Sequence, residues 1–222
     1  NVALGVTQVE ALKGVMLGET KGDDFSAHAW TTINPAKFTL AKNGQRKVAV
    51  QFAFPREGLD KAAYYATLNL TATHADGQLA GVMQTLVLAA NKKVVAESRM
   101  YNQALSLTQA EKNQYTVSAT FANVGGVYLD PSCKGQLLAA TGMSAVKTFE
   151  MKREPEGVVL PLGTPRWNGT LDFSDVAPGG YTLKVTCEYG GKPGGTASFP
   201  VKVTDGEGGQ KVVEVIGEIT KE

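Results

Sequence analysis

The chain has 222 residues, enough for one large or two ordinary β domains with a core in each. Hydrophobic residues make up 43% and charged residues 19%, which is the balance of a globular rather than a disordered chain. The formal net charge is +1 and no basic stripe is interleaved with aromatics, so a nucleic-acid partner is not expected.

No apolar run approaches the roughly 20 residues of a membrane-spanning helix, and no membrane span is expected. The chain opens at Asn1 without a basic segment or an apolar leader core. From this either a removed targeting segment or a start inside a longer protein is expected.

In chain order, Val2–Thr7 and Gly14–Gly18 are short apolar pieces, followed by the charged break Glu19–Asp24. Phe25–Thr32 reads as extended. Pro35–Leu40 then leads into Lys42-Asn-Gly-Gln, where Asn-Gly is a strong hairpin signal. The clearest pattern lies between Lys47 and Thr73. Val48, Val50, Phe52 and Phe54 alternate with polar or small residues until Pro55. A second alternation then puts Tyr64, Ala66, Leu68, Leu70 and Ala72 on one side and Tyr65, Thr67, Asn69, Thr71 and Thr73 on the other. Period-two alternation predicts two half-buried strands, one face in a core and one in water. Asp76-Gly77 makes a turn, Val82–Ala90 is a further apolar strand, and Asn91-Lys-Lys caps it before Val94-Val95. Five or six strands result where an immunoglobulin-like sandwich has about seven. The first domain is therefore read as short of its initial strands.

The polar stretch Ala96–Gln103 is the domain boundary, giving domains 1–103 and 104–222. In the second, strands are expected at Tyr115–Phe121, Gln136–Ala140, Val146–Arg153, Val158–Leu162, Trp167–Phe173, Tyr181–Tyr189 and Ala197–Val203. Lys211–Ile219 is expected as an edge strand guarded by Glu and Lys. Leu107–Asn113 allows one helical turn at most. Short strands separated by Gly/Pro turns predict an all-β chain of two immunoglobulin-like β-sandwiches in tandem.

Cys133 and Cys187 both fall on inward phases of their alternating runs. A disulfide between facing strands across a sandwich would imply an oxidising compartment. Two buried free thiols are the other reading.

Chemistry is sparse. His28 and His74 lie far apart in sequence without ligands at metal spacing. Asp23-Asp24 and Asp205-Gly-Glu lack the spacing of a calcium loop. No nucleophile elbow or phosphate loop follows a strand. Asn69-Leu-Thr and Asn168-Gly-Thr match the glycosylation pattern. Trp30, Trp167, Tyr101, Tyr128 and Tyr189 are candidates for an aromatic sugar platform, with core packing favoured for Trp167. No cofactor, no metal and no enzymatic activity are expected.

Pro35–Val50, Pro55, Tyr64–Leu70 and Gly81–Leu88 resemble part of the first domain of periplasmic pilus-assembly chaperones. Asn123–Pro131 is similar to the opening of that family's second domain and to sandwich modules of other bacterial surface proteins. The resemblance implies binding of a pilin-like envelope polypeptide by β-strand addition. It places Val82, Gln84, Leu86 and Leu88 against the partner, with Met83, Thr85 and Val87 on the other face. Packing of Leu86 and Leu88 into the domain's own core is the competing reading. The family's anchoring Arg has no counterpart in Asn1–Gly22, and Lys92 or Lys93 is the approximate match to its edge-strand Lys. An exported, non-enzymatic binding protein of the periplasm or cell surface is expected. A structural or adhesive surface module is the first alternative, and a carbohydrate-binding accessory module the second.

Overall fold

The computed structural model describes residues 2–8, 10–11, 17–18, 24–41, 43–140, 144–154 and 156–221, and the backbone alone at 2–8, 10–11, 17–18, 84 and 86. The protein is all-β apart from the 3-10 turns His28–Trp30 and Glu207–Gly209. It divides into two compact units between Glu97 and Ser98.

The first unit contains β1 (Val2–Gln8), β2 (Glu10–Ala11), β3 (Leu17–Gly18), β4 (Thr31–Asn34), β5 (Lys37–Phe38), β6 (Ala49–Phe52), β7 (Ala63–Thr73) and β8 (Leu79–Ala90). Its main sheet is antiparallel in the order β5-β1-β7-β8, while β4 pairs with β6 and β2 with β3. The two alternating runs of Lys47–Thr73 are therefore not neighbours. Tyr64 and Ala66 enter a small core with Ala27 and Ala89, against which Trp30, Phe52, Leu59 and Val87 pack.

One expectation is corrected here. Tyr65 and Thr67, assigned to the water side, are buried as well. The reason is that β7 is a central strand whose first half has both faces covered. The Phe25–Ala27 segment runs beside it, with the Tyr65 N–H donating to the Phe25 carbonyl at 2.7 Å and the Ala27 N–H to the Tyr65 carbonyl at 2.7 Å. From Leu68 to Thr73 β7 is only half-buried on either face. Val94-Val95 forms no strand.

The second unit contains β9 (Met100–Glu111), β10 (Gln114–Asn123), β11 (Pro131–Ala139), β12 (Ala145–Glu154), β13 (Arg166–Asp172), β14 (Gly179–Tyr189), β15 (Lys192–Asp205), β16 (Lys211–Val215) and β17 (Thr220–Lys221). They form one curled sheet in the order β16-β15-β14-β11-β12-β13-β10-β9, with β17 also on β15. Strand β12 makes the sheet continuous. It pairs with β11 from Cys133 to Leu138 and changes partner to β13 at Lys152–Glu154. Glycine permits this crowding, because a Cβ on Gly169 would stand 2.6 Å from Met151 Sδ and 2.8 Å from Phe149 Cδ2.

The core between the two halves of this sheet holds Trp167, Phe121, Phe173, Leu137, Leu183 and Val201. Phe121 meets Trp167 edge-on with centroids 5.7 Å apart, and Tyr115 meets Phe173 likewise at 5.2 Å. The Tyr115 hydroxyl donates to the Lys211 carbonyl at 3.0 Å and accepts from the Val213 N–H at 3.2 Å. These bonds hold β16 at the end of the sheet. At the β14–β15 hairpin Gly190 and Gly191 have φ of +53° and +74°, the pairing a two-residue type I′ turn requires.

Two further expectations differ from the structure. Val158–Leu162 makes only the isolated bridge between Val159 and Leu129, because Leu160–Gly163 turns and Leu162 takes φ +66°. Leu107–Asn113 is not helical, since Leu107–Glu111 continues β9 and Asn113, at φ +61°, turns the chain into β10.

Cys133 and Cys187 form a disulfide, with Cα atoms 4.0 Å apart. The bond does not cross from one face of a sandwich to the other. The two residues are directly opposed on the neighbouring strands β11 and β14, and both are buried because both point into the same core.

Candidate functional site

Strand β8 is twelve residues long and pairs with β7 along one side, from Ala90 opposite Ala63 to Leu79 opposite Thr73. It ends the sheet, and its other side meets no strand among the described residues. The hairpin that sends it out is local chemistry. The Gly77 N–H donates to the His74 carbonyl at 3.0 Å, the Gln78 N–H donates to Asp76 Oδ1 at 3.0 Å, and Gly77 adopts φ +87°.

Register separates the two faces of β8. Val87 and Ala89 share the face of Ala66 and Tyr64 and reach the core. Val82 and Leu88 lie on the opposite face and are 65% and 40% exposed. Met83, though on the core-side face, is 53% exposed, because the core stops short of this half of the strand. Leu88 therefore does not pack into the domain's own core. The side chains of Gln84 and Leu86 lie outside the described residues, and their backbones stand opposite Asn69 and Thr67. Lys92 and Lys93 are exposed just beyond the end of the strand, where the Lys93 N–H donates to Asn91 Oδ1 at 3.1 Å.

From Leu79 to Ala90 there is no charged residue and no proline, the two guards with which sheet edges are ordinarily kept from pairing. That absence was readable from the sequence. The exposure of Leu79 and Met83 was not, because it depends on how little core lies beneath them.

The other candidates are engaged elsewhere or dispersed. Trp167 is buried in the second unit's core. Trp30 lies edge-on to Tyr64 with centroids 4.7 Å apart. The Tyr189 hydroxyl donates to the Ser98 carbonyl at 2.9 Å. Tyr101 and Tyr128 are exposed, and the Lys221 ammonium lies 6.0 Å from the Tyr101 ring centroid. Asp205 is paired with Lys211 at 2.6 Å, while Asp23 lies outside the described residues. His28 begins an exposed 3-10 turn, and His74 stands at the base of the β7–β8 hairpin. Of the glycosylation matches, Asn69 is half-buried on β7, and Asn168 Oδ1 accepts from the Ser118 hydroxyl at 2.7 Å.

Sequence reasoning missed one polar cluster. The Arg153 guanidinium lies 5.9 Å from the Trp167 ring centroid and 3.8 Å from Asp130. Its Nη1 is buried without a hydrogen-bond partner in the structure. Burial lowers its pKa, against the pull of Asp130 and Glu156. The cluster ties β12 to the loop before β11. Elsewhere, hydrogen bonding to Lys61 holds the Asp60 carboxyl below its ordinary value, and Lys147 does the same for Asp175.

Comparison with protein-family models finds no match, and comparison with curated proteins finds no relative.

Proposed function

We propose that the chain is an exported, non-enzymatic binding protein of two immunoglobulin-like sandwiches. Its first unit engages extended polypeptides by β-strand addition along β8, in the manner of a pilus-assembly chaperone. The observation that carries this reading is the twelve-residue, uncharged strand β8 at the edge of its sheet, with Val82, Met83 and Leu88 exposed. An incoming strand gains main-chain hydrogen bonds along such an edge, and its alternate side chains gain apolar partners.

The immunoglobulin-like reading of the second unit draws support from its order. Strands β9, β10 and β13 lie together, as do β12, β11, β14 and β15. At the start of β14 the Tyr181 hydroxyl donates to the Ala177 carbonyl at 2.8 Å, the bond of a tyrosine corner. Export is supported by the disulfide, since such bonds persist in oxidising compartments. The alternative of a structural or adhesive surface module is favoured by one observation, the same disulfide inside a nearly closed sheet.

The test is affinity purification of the protein from its native host, with mass spectrometry of what accompanies it. A β-rich polypeptide recovered in defined ratio, and lost in a folded Val82→Asp/Leu88→Asp variant, is the expected result. A protein that comes out alone, or a partner retained by that variant, overturns strand addition.

A further inference from the structure

We infer that, when no partner strand is bound, the outer edge of β8 is capped by β8 of a second copy of this chain, antiparallel about a twofold axis. The inference rests on the reading of β8 as a strand-accepting edge and names what occupies it in the isolated protein.

A twofold axis perpendicular to a sheet makes two copies of an edge strand antiparallel neighbours and keeps each face continuous across the join. Opposed residues must then share a face, which restricts the registers. The register centred on Thr85 sets Val82 against Leu88 of the second copy, and by symmetry does so twice. Those are the two described apolar residues of the solvent face, 65% and 40% exposed in the isolated chain. On the other face the same register sets Met83 against Val87. On the axis Thr85, itself exposed, meets its own counterpart, and a directly opposed Thr pair is favourable.

Charge agrees with this register. No charged residue lies within Leu79–Ala90, so pairing the strand with itself opposes no like charges. Beyond its ends the chain carries exposed Asp76 on one side and exposed Lys92 and Lys93 on the other. Antiparallel pairing brings the Asp76 end of each copy to the lysine end of the other, with Asp76 one diagonal step from Lys92. A parallel arrangement would instead place Asp76 beside Asp76 and lysines beside lysines. The ends thus select the antiparallel orientation, and the Val82–Leu88 contacts select the register.

The experiment is sedimentation equilibrium of the purified chain over a range of concentrations, with Thr85→Lys and Thr85→Glu variants measured alone and mixed. A monomer–dimer equilibrium is expected for the parent chain. Each variant alone places a like charge on the axis and dimerises roughly fivefold more weakly, and an equimolar mixture recovers the dimer. Recovery on mixing also shows that both variants are folded. Amide exchange of β8 slows as the parent concentration rises. A parent chain that stays monomeric, or a dimer insensitive to both variants, overturns the inference. If the chain is monomeric and a partner polypeptide is lost from Val82→Asp/Leu88→Asp, the edge reading stands and only self-capping fails. If it is monomeric and that variant changes no binding, both fail.

Discussion

Removing the disulfide should cost the second unit about 4 kcal/mol. The perturbation is the double substitution Cys133→Ala/Cys187→Ala. The bond closes a segment of sequence separation 54, and the chain-entropy relation for a loop of that length gives about 14 cal/mol/K, or about 4 kcal/mol at 25 °C. Both cysteines are buried in the core, so the small voids left by two alanines add to this rather than offset it. For a unit of this size the loss lowers Tm by roughly 12–20 °C. The assay is guanidinium unfolding followed by tryptophan fluorescence in a Trp30→Phe background. The signal then comes from Trp167, which lies in the core the disulfide joins. The midpoint should fall with little change in slope. A loss below about 1 kcal/mol would refute the reasoning, because it would mean that register between β11 and β14 restricts the unfolded chain no less without the bond.

Three other outcomes are expected. Gly135→Ala should destabilise the second unit strongly, because the Phe149 ring occupies the space a Cβ would fill, and the added Phe149→Ala should relieve the clash while costing its own packing; thermal melts of both variants check this. Tyr115→Phe should cost about 1–2 kcal/mol through two lost hydrogen bonds and speed amide exchange at Val213, whose N–H loses its acceptor. The Asp175 carboxyl, held below the ordinary aspartate value by Lys147, should titrate at lower pH than in Lys147→Met by NMR. Because its folded pKa is lowered, its contribution is present above the unfolded value and disappears as pH falls through the folded one; full exposure keeps it small.

The all-β class and most strands of the second unit were legible because alternation there is enforced by burial. Tyr115, Val117, Ala119 and Phe121 point into one core, as do Leu183, Val185 and Cys187. The Asn43-Gly44 and Asp76-Gly77 turns were legible for a local reason, since Asn43 and Gly77 need positive φ. Pairing was not legible, because period two states which face a residue takes and not which strand lies beside it. Hence β6 joins β4 rather than β7, and the disulfide joins neighbours rather than facing strands. The burial of Tyr65 was hidden for the same reason, since it depends on Phe25–Ala27 running alongside. Of the candidate site, the strand and its lack of charge were readable. Its position at the sheet edge required the topology.

The two units differ in how far they satisfy themselves. In the second, β12 bridges the two halves, β16 and β17 return along β15, and the Lys221 ammonium donates to the Gln103 carbonyl at 2.8 Å. Its strand order leaves little main chain for another polypeptide to complete. In the first, the described core is confined to one half of β7 and β8, and the other half carries Leu79, Val82 and Met83 in solvent. An exposed apolar residue alone is ordinary. Three on a twelve-residue edge strand without charge or proline are not, because every unpaired N–H and C=O beside them is a site for another strand. Selection for the isolated fold would have placed a lysine or proline there at little cost to a strand already facing water. The absence of either is what a binding edge requires, since a guard against wrong partners on the strand itself would equally exclude the right one.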